Sequence, residues 1–178
     1  EWTRRKLGDV RVKAMEIYPT SIDLILGGKR LALCHFINDI RWEGSENVLD
    51  GKVAPGMKGY FDIAIDPKNT DVAIRYDILY NLDDLNEINS FIKITNVEEI
   101  NNNDLVLTSE NTYTGLLDLN DIENKKSHII RTHVEWIDDE NNSQNDYLIG
   151  ISDEIFKISI DINVTQYLGE EIKEYVGE

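Results

Sequence analysis

The sequence predicts an all-β protein, an antiparallel β-sandwich of jelly-roll-like character with few short helical turns. Three observations predict it. Apolar residues recur with a period of two in many short stretches, Pro, Gly and Asn/Asp signals separate those stretches, and no long helical periodicity appears. A period of two marks a strand with one buried face, because successive side chains leave a strand on opposite sides. With 178 residues, the chain reads as a single domain over 1–178 that can bury a sizeable core.

Taken in order, Trp2 to Lys6 forms the only basic cluster, and a strand is expected over Val10–Ile17, closed by Tyr18-Pro19. Ser21–Leu26 follows, with Ile22, Leu24 and Leu26 on one face and Gly27-Gly28 as its stop. In the apolar run Leu31–Trp42, Cys34, Phe36, Ile40 and Trp42 share a parity. The best-organised stretch is Val53–Leu82. Ala54-Pro55-Gly56 is a turn signal; Phe61, Ile63 and Ile65 then share one face, and after the polar connector Pro67–Asp71 so do Val72, Ile74, Tyr76, Ile78 and Tyr80. Two antiparallel strands result. Asp83–Ser90 suits a loop or a single helical turn, and Phe91–Asn96 a short strand.

Further strands are expected at Asp104–Thr108, at Thr114–Leu119 with a turn at Asn120-Asp121, and at Lys126–Ile137 with Ile130, Val134 and Trp136 on one face. The cleanest alternation is Ile155–Gln166, where Phe156, Ile158, Ile160, Ile162 and Val164 face inward. Gly169–Glu178 is acidic and is expected as a short helix.

Eighteen Lys and Arg against 34 Asp and Glu give a net charge of −16, which repels phosphate backbones and argues against nucleic-acid binding. A solvated acidic surface is the plain reading; an extracellular setting or calcium association also suits it. No apolar run approaches the roughly 20 residues of a membrane helix. The chain opens at Glu1 rather than a methionine, which reads as a processed form whose targeting signal is gone. Cys34 stands alone, so it can make no intrachain disulfide, and its apolar neighbours mark it as a small buried hydrophobe.

No motif of a nucleophile with its base, and no phosphate-cradling glycine loop, is present. On a strand Cys34 and His35 point apart, as do His128 and His133, so surface or edge histidines are expected and no catalytic residue is assigned. Carboxylates and amides cluster at Asn101–Asp104, Asp118–Asp121 and Asp138–Asp146. In the last cluster Asp138, Asp139, Glu140 and Asp146 offer the oxygen ligands that Ca²⁺ prefers, without the glycine and final glutamate of an EF-hand loop. An ordinary hydrophilic hairpin loop is the competing reading, with no cofactor. Trp42 and Trp136 share parity with apolar neighbours and are expected in the core rather than on a sugar-stacking surface. Asn141 and Asn163 begin matches to the glycosylation pattern.

Several stretches together resemble a known group. Val53-Ala-Pro-Gly-Met-Lys-Gly-Tyr-Phe-Asp-Ile-Ala-Ile-Asp66 followed by Val72–Ile78, then Thr132–Trp136, Asn145–Gly150 and Ile158–Gln166, are similar in order and spacing to the core pattern of the TasA/camelysin group. These are Gram-positive exported proteins with a SipW-type signal peptide, and the likeness covers roughly residues 50–166. The N-terminal third departs from the pattern at Leu31–His35. The resemblance implies a jelly-roll-like sandwich, an extracellular or cell-surface location, and in some members assembly into biofilm matrix fibres by strand exchange. The expectation is a non-enzymatic structural protein that self-associates, with cell-wall or matrix components as further partners and residues 1–18 as donor strand. A camelysin-like metal-dependent endopeptidase using His128 or His133, or a carbohydrate-binding module, are the alternatives.

Overall fold

The computed structural model describes residues 21–26, 29–36, 40–47, 55–68, 70–82, 92–101, 104–137 and 158–177. Two antiparallel sheets carry almost all of it. The first contains β1 (Ser21–Leu26), β2 (Lys29–Phe36), β4 (Lys58–Pro67), β9 (His128–Trp136) and β6 (Ile92–Glu99) in that spatial order, with the short β3 (Arg41–Trp42) also on β4. The second runs β10 (Ile158–Gln166), β5 (Ile74–Leu82), β8 (Thr112–Leu117), β7 (Val106–Ser109). The one α-helix among the described residues, α1 (Leu119–Glu123), links β8 to β9.

The sheets face each other across one core. Phe61, Ile63, Ile65, Ile130, Val134 and Trp136 come from the first sheet, and Ile74, Tyr76, Ile78, Tyr80, Leu117, Ile160 and Val164 from the second. Alternation along β4, β5, β9 and β10 therefore places the side chains as expected, with Trp136 fully buried and Trp42 half-buried against the core. At the Pro55-Gly56 turn, Gly56 takes φ +86, a left-handed value that favours glycine, and its N–H donates to Trp136 O at 2.8 Å.

Three expectations are corrected. The two strands of Val53–Leu82 do not pair with each other: β4 and β5 lie in opposite sheets, so the polar connector after Pro67 carries the chain across the sandwich. The partner of β5 is β10, in continuous register from Ile158 opposite Leu82 to Gln166 opposite Ile74. Asn120-Asp121 is not a turn but the first part of α1. Asp118 caps that helix by accepting from Asp121 N–H, while the Asp121 carboxylate accepts from Asp118 N–H, and this reciprocal pair outweighs the β-forming residues before it. Residues 167–177 form no helix, since Gly169 and four glutamate and lysine residues bury nothing that would hold a short one. The expected strand Val10–Ile17, the stretch Asp83–Ser90, the donor segment 1–18 and the loop Asp138–Asp146 lie outside the described residues.

Candidate functional site

Tyr76 on β5 sits beside Gly115 on β8, and a Cβ built on that glycine would stand 2.3 Å from the Tyr76 hydroxyl. The missing side chain lets the phenol lie across β8 and reach the opposite sheet. There its Oη is 2.8 Å from His128 Nδ1, and His128 Nε2 is 3.0 Å from Asp121 Oδ2 on α1. All three are sealed, at 0%, 1% and 4% exposure. Burial, reinforced by Glu99 and Asp121, pushes the Tyr76 phenol well above its ordinary value, so it stays protonated. With the imidazole hydrogen on Nε2 donating to the Asp121 carboxylate, Nδ1 is left to accept from the Tyr76 hydroxyl. Four residues along each strand, Tyr80 Oη lies 2.6 Å from Thr132 Oγ1, a second rung between the sheets.

A hydroxyl, an imidazole and a carboxylate in line is the arrangement that activates a nucleophile. Here no substrate can reach the hydroxyl. The three groups instead clamp β5, β9 and α1 together. His128, expected at the surface or an edge, is thus a core residue, whereas His133 does face outward, 3.2 Å from Glu98. The parity it shares with Ile130, Val134 and Trp136 was the available signal for its burial, and Asp118-x-x-Asp121 the signal for the helix that meets it.

Other chemically capable groups are brought together and neutralised. Ser127 Oγ donates to Asp66 Oδ1, and His35 Nδ1 approaches Asp66 Oδ2 to 3.2 Å without hydrogen-bond geometry. The aspartate stands between serine and histidine, so the imidazole has no access to the serine proton. Cys34 is buried, and burial pushes its thiol up to about 12, which keeps it inert. On the outer face of the first sheet, Arg131 grips Asp62 with two hydrogen bonds of 2.9 and 3.0 Å and lies 4.1 Å over the Tyr60 ring. Among the described residues, no three His, Cys, Asp or Glu side chains converge as a metal site. The candidate ligands Asp138, Asp139, Glu140 and Asp146 are outside those residues.

Comparison with protein-family models, curated proteins and solved structures gave no match. No helix is long and apolar enough to cross a membrane among the described residues.

A cleft of about 650 Å³ lies beside α1, lined among the described residues by Lys68, Thr70, Asp71, Leu119, Ile122, Glu123 and Lys125. Two lysines and two acids lie among these residues. Lys125 holds φ +49 at the end of α1, where its N–H and that of Lys126 close the helix onto Ile122 O and Asp121 O.

Proposed function

We propose that this protein is a non-enzymatic structural β-sandwich of the TasA/camelysin kind, secreted or displayed at the cell surface. It associates with copies of itself through sheet edges and with cell-wall or matrix components around it. The observation that carries this reading is the contrast between its groups and its margins. Tyr76, His128, Asp121 and Cys34 are sealed in the core, whereas among the described residues β6 and β7 each end a sheet with no further strand beside them. β1 and β10 lie against each other at one margin, and at the far ends of the two orders stand β6 and β7. An unpaired edge presents a row of N–H and C=O groups that an extended segment can pair with. Residues 1–18, ahead of β1, supply the donor segment of this reading.

Electron microscopy and size-exclusion chromatography of the whole chain and of a chain lacking residues 1–18 test it. Oligomers or fibres are expected from the first and their loss from the second; assembly unchanged by the deletion sinks residues 1–18 as donor.

A further inference from the structure

After β10 the chain crosses its own sheet. Tyr167 N–H donates to Ala73 O at 2.8 Å, just ahead of β5, and Tyr175 N–H donates to Leu107 O at 2.7 Å on β7. The segment therefore runs from the β10 margin of the second sheet to the β7 margin, with Gly169 turning at φ +106 on the way. Among the described residues, Tyr175 makes its one backbone hydrogen bond to β7. Leu168 and Val176 remain 73% and 93% exposed.

We propose that the β7 edge is a seat for an extended segment, and that residues 171–177 of a second copy of this chain occupy it in exchange for the chain's own. The inference rests on the edge-assembly reading and adds to it a second donor, beside residues 1–18, together with the edge that accepts it. The seat is shown in use, because the chain's own segment already lies on it. Every contact made within one copy is available between two, so exchange costs little beyond association itself. Glu170, Glu171, Lys173 and Glu174 are all in solvent, so the segment opens with little loss of packing. The exposed apolar side chains of Leu168 and Val176 are surface that a neighbouring copy can cover. The opposing force is charge: two chains of −16 repel, and screening by salt lowers that barrier.

Two full-length single-site variants with different tags, Leu107→Cys and Tyr175→Cys, are mixed and mildly oxidised. Cys34 is buried and stays out of the exchange. Exchange predicts disulfide-linked heterodimers several-fold in excess of the two homodimers combined. Heterodimers that only equal the homodimers combined overturn this pairing. If oligomers persist alongside that result, edge assembly stands on another pair of segments; if they are absent too, both readings fall.

Discussion

The seam between β5 and β9 and the margin at β7 both depend on tyrosines, and they use them in opposite ways. In the seam, Tyr76 and Tyr80 are buried, and each hydroxyl is matched to a group on the facing sheet. At the margin, Tyr175 is 39% exposed, and its backbone N–H holds the segment while the ring is left in partial contact with water. The difference separates a fixed seam from a margin that we propose as the working surface. A buried polar network is stable only when every member is satisfied, so it fixes the register of the two sheets and cannot easily move. A segment held at the margin, among the described residues, by the Tyr175 N–H bond to Leu107 O can open and re-form.

The largest expected effect strikes the seam and comes from alkali. Burial holds Tyr76 and Tyr80 above their ordinary value of 10.0 and pushes Cys34 from 9.0 to about 12. In each case the neutral form is the folded one. The unfolded chain releases protons that the folded chain keeps, so this contribution is whole below about pH 9 and is lost as pH climbs through about 9 to 12. Thermal melts across that window are expected to show Tm falling steeply, and a flat profile contradicts the sealed seam.

His128→Ala comes next. It strands the buried Tyr76 phenol and leaves the Asp121 carboxylate with Asp118 N–H as its remaining donor, and urea denaturation is expected to show a loss of about 1–3 kcal/mol. Self-association measured under folding conditions is expected to persist, because the seam and the margin are separate. Gly115→Ala presses a methyl group into the Tyr76 ring and is expected to cost about 1–3 kcal/mol by the same measurement. The smallest effect is a gain. Lys125→Gly relieves a left-handed backbone position and is expected to add up to about 1 kcal/mol.

Much of the sandwich was legible in the residues. The parity of Phe61, Ile63 and Ile65, and that of Ile160, Ile162 and Val164, follows directly from one buried face per strand. Pairing was not legible in the same way. Period two says which face is inward, not which strand lies alongside, and a short polar connector serves a hairpin or a crossing between sheets equally well. That is why β4 and β5 look like neighbours and are not. The seam was half legible: the parity of His128 marked it as inward, but its partners come from β5 and α1, 52 and seven residues away, and no local pattern announces such a meeting. The course of 167–177 was hidden because its partner, Leu107, is remote in sequence and the contact is made by backbone alone.

We propose that this sandwich associates at its sheet edges and that its charge holds the association back. Sedimentation velocity of the intact chain at rising salt tests it most directly. With a net charge of −16 and a screening length that falls from about 30 Å at 0.01 M to about 8 Å at 0.15 M, oligomers are expected to grow as salt is raised. A chain that stays monomeric at every salt and protein concentration contradicts it.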